Sequence, residues 1–458
     1  MFLYIKVGTR GLIMGAGVFK TFLVIWIGQL FSVVGSGLTS FALGVWVLKE
    51  TGSVTLFSFI LLFSTFPAIL FSPFAGVIVD RYNRRTVMIV SDTIAGIGTL
   101  VMFILYLTNV MEIWHLYIIL SISSIASSLQ FPAYQAAVTT LVKKEHLGRA
   151  SGMVQVAESI SIIVAPVMAG FLLNIVGLHG IVIIDFATFL IAMGTLLFIK
   201  IPNVQDEDGG DSKKSVWKEA AFGWRYIVER PGLKWLLVFF AISNFLLGYF
   251  NILIQPYILS FSNEKVLGMI LSCFGIGMLL GGLVMGVWGG PKQKIKGLLG
   301  FGLLSGIALT VAGFKSVAIL IAISFALQAF FMPLTNGCSQ AIWQSKVPIQ
   351  VQGRVFALRR MIALSLSPIA YVSAGPIIDY FFEPAMMENG FLANSLGFIF
   401  GVGEGRGMGL FITLIGLSWA LVSVIVYLNP RVRNLEAELP DYDANVQTNT
   451  EVVATVVE

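Results

Sequence analysis

Apolar residues run along this chain in twelve long stretches, and the polar residues gather in the gaps between them. The first six cover 19–48, 54–79, 87–108, 114–141, 151–174 and 180–200. The second six cover 234–259, 266–289, 296–314, 317–343, 356–382 and 408–428. A helix needs about 20 apolar residues to cross the hydrocarbon core of a bilayer. The pattern therefore predicts an all-α membrane protein with twelve transmembrane helices, and both termini then lie on one side. Lys and Arg fix which side. With the termini in the cytoplasm, only Lys49, Lys265, Lys315 and Arg406 of the 29 basic residues fall outside, as the positive-inside rule requires.

Composition agrees. Hydrophobic residues make up 57% of the chain and charged residues 12%, which excludes a water-soluble fold whose charged content would be roughly 25%. The formal charge of +5 belongs to the cytoplasmic loops, so it reports topology and lipid contact; no basic face interleaved with aromatics suggests nucleic acid. Cys273 and Cys338 lie within spans, where they read as small buried residues. The three histidines form no ligand cluster, and no HExxH, GxSxG or P-loop pattern occurs. Neither an enzyme nor a metal site is expected. Lys6, Arg10 and Lys20 flank no compact apolar core of the kind a cleavable signal peptide carries.

The spans divide into two sets of six. Residues 1–18 form an N-terminal cytoplasmic segment, 19–200 a first bundle, 201–233 a cytoplasmic linker, 234–428 a second bundle and 429–458 a cytoplasmic tail. Within the linker, Trp217, Ala221, Trp224 and Val228 recur at helical spacing, which suits a helix lying on the membrane and equally an ordinary solvated helix. Faint internal similarity links the halves. Gly148-Arg149 and Gly353-Arg354 introduce the fifth and eleventh spans, each with a valine seven residues before the arginine (Val142, Val347) and a glycine 21 after it (Gly170, Gly375). Phe131-Pro132 and Met332-Pro333 are each followed by an amide, Gln135 and Asn336. Duplicated six-span halves can rock about a central site and expose it to each side in turn.

After the second span comes Gly76-Val-Ile-Val-Asp80-Arg81-Tyr-Asn-Arg84-Arg85, in the first cytoplasmic hairpin. This resembles motif A of the major facilitator superfamily. Gly76 would let a helix approach closely, Asp80 could face a helix N-terminus, and Arg81, Arg84 and Arg85 could pair with acidic groups across an inner gate. Asn83 stands where the family usually has glycine, and the second-half counterpart from Gly286 to Lys294 lacks the acid, so an asymmetric gate is expected. Ala165-Pro166-Val-Met-Ala169-Gly170 resembles a degenerate motif C, associated with antiporters and exporters; a purely structural bend at Pro166 is the competing reading. With Pro368 and Gly375 of the eleventh span, the chain resembles the macrolide-efflux and enterobactin-exporter branch. That resemblance implies export of an amphiphilic compound such as a drug, macrolide-like molecule, siderophore or natural product, driven by the proton gradient with no cofactor. The family's motif B arginine has no counterpart in the uncharged fourth span, so a relay through it does not carry over.

Charge at bilayer depth is costly, about 2.5–3.5 kcal/mol on insertion scales, which makes the few carboxyls there candidates for function. Glu158 lies roughly 12 Å into the fifth span. It is the first candidate for the coupling proton, against a structural carboxyl bonded to a neighbouring helix. Asp185 is the second, against a solvated residue near the start of the sixth span. Asp92 is expected to pair with the motif A arginines, and Asp379 to lie near the outer surface. If the resemblance holds, spans one, four, seven and ten form the cavity. Their polar positions are Gln29, Ser32, Ser36 and Ser40; Gln130 and Gln135; Asn244, Asn251 and Gln255; and Gln328, Asn336 and Gln340. Polar glue between helices explains each one equally well.

Those spans lack central Lys or Arg and the chain holds 36 phenylalanines, so a neutral or weakly cationic amphiphile is the expected cargo. Protons, membrane lipids and a monomeric state complete the expected partners, and a cell membrane the location. A lipid flippase or other importer and a non-transporting sensor are the alternatives. Residues 383–407 read as a flexible outer connection or a cap, and the tail after Pro430 as disordered.

Overall fold

A computed structural model describes residues 6–142, 147–199 and 224–439. The twelve spans are helices. The first six are α1 (Lys6–Thr51), α2 (Val54–Arg81), α3 (Arg84–Leu107), α4 (Ile113–Leu141), α5 (Leu147–Ile175) and α6 (Gly177–Phe198). Then follow α7 (Pro231–Leu259), α8 (Glu264–Trp288), α9 (Lys294–Ala312) and α10 (Ala318–Lys346). The eleventh span is broken, running through α11 (Ile349–Leu364), α12 (Ser367–Ile377) and a π-helical turn (Ile378–Phe382). The twelfth is α15 (Arg406–Leu428). Twelve helices are long and apolar enough to cross a membrane, and no strand occurs among the described residues. The protein is a multi-pass membrane protein.

Local chemistry sets the ends. Ser53, Asn83 and Asn263 cap α2, α3 and α8 by accepting backbone N–H bonds. Gly289 and Gly290, at φ 71° and 80°, close α8 in the left-handed region that glycine alone enters freely. Pro132, Pro166, Pro256 and Pro333 sit inside spans, where neighbouring helices make such interruptions tolerable. Pro368 stands in the first turn of α12, where its missing N–H costs nothing, and so marks the break in the eleventh span.

Two expectations are corrected here. The 383–407 segment is folded: it contains α13 (Glu383–Met386) and α14 (Ala393–Phe400), and the Glu383 carboxylate accepts from the backbone N–H groups of Gly405 and Met408, the latter at 3.2 Å. The chain after Pro430 is ordered as far as Leu439, through α16 (Pro430–Arg433) and α17 (Leu435–Glu438). Glu436 there caps α9, accepting from Lys294 N at 3.0 Å and Ile295 N at 3.2 Å, and Lys346 Nζ donates back to the Glu436 carbonyl at 3.0 Å. The rest of the tail and most of the linker lie outside the described residues; of the proposed linker face, Trp224 and Val228 are exposed.

The apolar core shows how the halves sit. At the expected outer end a single cluster runs through both, from Leu38, Phe57 and Ala165 to Leu253, Leu267, Phe325, Ala374 and Ile412. At the expected inner end the core divides. Phe22, Met88, Ala137 and Leu196 close one half on itself, and Leu236, Leu298, Trp343 and Val355 close the other. Among the described residues the halves share buried packing at one end and not at the other.

Candidate functional site

The seam at the joined end is built from small residues and one carboxylate. On one side α5 meets α8: a Cβ on Gly268 would collide with the Pro166 carbonyl, one on Gly170 would lie 2.5 Å from the Glu264 carbonyl, and Ser272 Oγ donates to the Ile163 carbonyl. Ala165 and Ala169 are buried alongside. The proposed motif C segment is thus the surface on which the second half rests. Lys49 pairs with Glu264 across the same seam.

On the other side the eleventh span meets α2. Gly375 lies against the Thr55 backbone with no room for a side chain. One turn on, Asp379 reaches across the halves to the first turn of α2. Its carboxylate accepts from Thr55 N at 2.9 Å, Thr55 Oγ1 at 2.7 Å, Ser53 Oγ at 3.0 Å and Val54 N at 3.3 Å. The first turn of α2 contains no acidic residue of its own. An anion supplied by the other half therefore meets the unpaired N–H groups and positive dipole of that helix. Sequence reasoning placed Asp379 near the surface and gave it no role. The available signals were a bare α2 N-terminus and an acid in the last turn of the span that pairs with it, but nothing in the sequence brings the two together.

The first half holds three carboxyls at membrane depth. Asp92 on α3 accepts from Gln29 Nε2 at 3.5 Å, and Gln29 Oε1 in turn accepts from Gln130 Nε2 at 2.9 Å, so one amide ties α1, α3 and α4 together. The expected Asp92–arginine pair is not what forms; the nearby amide of α1 takes its place. Asp185 is buried and accepts from Ser36 Oγ at 3.3 Å, where Gly35 lets α1 press onto α6. It is enclosed by α1 and α6 and not solvated. Trp26 Nε1 donates to the Met153 carbonyl at 2.8 Å and Ser161 Oγ to the Val33 carbonyl at 2.9 Å, which hold α5 to α1.

Glu158 differs from the other two. It is half-exposed and has no hydrogen-bond or ion-pair partner among the described residues. Positions 158, 162 and 166 share a helical face. On it Ile162 packs near Gly275 and Pro166 against Gly268, so Glu158 lies one turn inward of the point where α5 and α8 part. Its helical neighbours Ser161 and Ile162 meet α1 and α8 respectively.

The expected inner gate is described in part. Gly76, Asp80 and Arg81 lie on α2, but their side chains are outside the described residues. Arg85 does not cross to an acid. Its Nε and Nη2 donate to the Leu196 and Leu197 carbonyls, both at 2.8 Å, because the last turn of α6 presents unpaired acceptors and negative dipole within its own half. Arg84 has an interaction of its own. Asn83, the departure from glycine, caps α3.

The expected path residues separate into groups. Gln29 and Gln130 belong to the bridge, and Gln135 is half-buried on α4. Gln255 is wedged at the outer crossing, its Oε1 close enough to Gly44 to exclude a side chain there. Gln328 is fully buried. Asn251, Asn336 and Gln340 are exposed, and Asn244 and Asn336 line a pocket in the second half. Gln340 accepts from Arg359 Nη1 at 3.2 Å, while Arg359 Nη2 donates to Ser339 Oγ at 3.0 Å and its guanidinium lies 5.0 Å from the Trp343 ring. Arg359 lies on the broken eleventh span, outside the four helices expected to form the cavity. Among the described residues no group of three His, Cys, Asp or Glu could hold a metal.

Relatives carry the same frame. Macrolide efflux protein A of Streptococcus pyogenes is 28% identical over 362 residues, 78% of this chain and 89% of that protein. The multidrug efflux pump Tap of Mycolicibacterium fortuitum is 24% identical over 387 residues, 82% of this chain and 92% of the pump. The crystal structure of the nucleoside transporter NupG superposes with a TM-score of 0.68 at 13% identity, covering 89% of this chain and 99% of that one, which is a likeness of fold. Residues 25–372 match the Major Facilitator Superfamily, and the chain belongs to that family of transporters.

Proposed function

We propose that this chain exports a small amphiphilic compound, macrolide-like in its mixture of apolar bulk and polar groups, from the cytoplasm across the cell membrane in exchange for protons. Both termini are cytoplasmic, which makes the divided end of the core the inner one. The observation that carries the reading is this joined-and-divided core, with Glu158 set just inside the seam. The efflux relatives support the direction.

Coupling follows from electrostatics. Closing the inner end would bring the second half over Glu158, and an ionised carboxylate without a partner costs several kcal/mol to enclose. A bound cationic amphiphile or a proton removes that cost. The carrier closes with cargo in one direction and with a proton in the other, and the empty, ionised state stays open. The Gln130–Gln29–Asp92 bridge and the Ser36–Asp185 bond keep α1 in register with α3, α4 and α6 during the motion.

The test is erythromycin accumulation in cells expressing wild type or Glu158→Gln, with and without an uncoupler. Lower accumulation with wild type alone, abolished by uncoupling, is expected. Equal accumulation in all cells, for erythromycin and for a panel of fluorescent amphiphiles, would refute export of this class.

A further inference from the structure

The segment 383–407, between the last two spans, is folded onto the second half by one of its sides. Met386, Phe400 and Leu410 form a small buried cluster, with Phe314 and Leu396 packed against it. The Phe314 and Phe400 rings lie 5.6 Å apart, which sets α14 over the outer end of α9. Leu392 N donates to the Ala385 carbonyl and Gly403 N to the Met386 carbonyl, both at 3.0 Å, and the Glu383 carboxylate ties the segment to the start of α15.

Its other side is apolar and open. On α14 the buried Ala393 and Phe400 face inward, and Phe398 and Ile399 face out. Phe398 is 84% exposed and Phe391, just before the helix, 67%. The outward face of a helix bathed in water carries polar and charged residues. Large apolar side chains gathered on one exposed face mark a contact instead.

Position and charge select the partner. α9 packs on α10 and α15, and α15 on α7, so the segment stands at the rim of the second half and away from its seam with α2 and α5. The exposed side chains of those rim helices below it are apolar, Leu304 and Ile307 on α9 and Leu414 and Leu417 on α15, as contact with lipid requires. That surface continues into the segment. Tyr380 and Phe381, in the last turn of the eleventh span, are exposed, and the Phe381 ring lies 5.7 Å from that of Phe391. The exposed charges of the segment are Glu388 and Glu404; its one basic residue, Arg406, donates to Ser316 Oγ at 2.8 Å. It therefore offers apolar area and no free cation for anionic headgroups.

We infer that the 383–407 segment is an interfacial anchor whose partner is the lipid of the outer leaflet. Phe398, Ile399 and Phe391 enter the boundary between headgroups and acyl chains, where aromatic side chains are favoured, while Glu388 and Glu404 stay in water. The anchor fixes the depth of the outer end of the eleventh span, the turn that carries Asp379.

The experiment uses the full chain with Cys273→Ala and Cys338→Ala in phosphatidylcholine vesicles, and a nitroxide at Phe398→Cys, Phe391→Cys or Glu388→Cys. Collisions with oxygen, which gathers among acyl chains, are compared with collisions with nickel ethylenediaminediacetate, which stays in water. The oxygen-to-nickel ratio at 398 and 391 should exceed that at 388 at least fivefold, and phosphatidylglycerol should change it less than twofold. Ratios at 398 and 391 equal to that at 388 would place the face in water and overturn the proposal. Low access to both reagents would overturn it too, with dipolar broadening between labels if a second copy covers the face and without broadening if the chain itself does. A high ratio only with phosphatidylglycerol would mean that headgroup charge and not apolar insertion holds the segment. Ile399→Cys gives the same reading if the Phe398 variant does not fold.

Discussion

Asp379 should govern which end of the transporter opens. Its carboxylate joins the halves through four hydrogen bonds to the start of α2. A hydrogen bond to a charged group contributes about 1.5–3 kcal/mol when it is lost without replacement. A negative charge at a helix N-terminus adds about 0.3–1 kcal/mol. Water reaches this seam once it parts and replaces much of what is lost, which brings the net effect of Asp379→Ala to about 3 kcal/mol. That is roughly a 150-fold change in the conformational ratio, so a state held at about 99:1 falls to near parity. The assay is the distance between spin labels at Val110→Cys and Lys315→Cys, two exposed outer-loop positions on opposite halves, in a background without Cys273 and Cys338. Wild type should give one short distance. Asp379→Ala should add a longer population of comparable size, and Asp379→Asn, which keeps an acceptor, a smaller one. An unchanged distribution in folded Asp379→Ala would refute the latch.

Gly268→Leu places a side chain against the Pro166 backbone and should abolish transport while shifting the same labels to the long distance. Lys49→Ala should change the ratio by less than about 1 kcal/mol, because Lys49 is 63% exposed and solvent screens its pair with Glu264. Arg85→Lys cannot serve the Leu196 and Leu197 carbonyls with one fork, and thermal unfolding should show a loss of about 1 kcal/mol without a change in cargo preference.

How much of this was legible depends on whether a feature is local. The twelve spans follow from apolar length alone, and basic residues then orient them. Pro368 stands where the eleventh span breaks, and the small residues around Pro166 and at Gly375 pack closely on the other half, but the sequence does not name their partners. Features that need two distant segments escaped. Asp379 and Ser53 are 326 residues apart, so no window along the chain contains both. Asp185 looked like a residue at a helix start because depth was counted along one span, whereas its burial comes from α1 lying across α6 at Gly35. Arg85 was expected to meet an acid, and the carbonyl end of its neighbour was nearer. The amides of spans one, four, seven and ten read alike in sequence, and packing alone separates the bridging Gln29 and Gln130 from the enclosed Gln328 and the pocket-lining Asn244 and Asn336.

Substrate-induced proton movement in proteoliposomes tests the central claim most directly, with a pH dye inside the vesicles and erythromycin added under an imposed proton gradient. Wild type should dissipate the gradient only when substrate is present, and Glu158→Gln should bind and exchange substrate without moving protons. Equal substrate-dependent proton flux through wild type and Glu158→Gln would contradict the assignment of Glu158 as the coupling carboxyl.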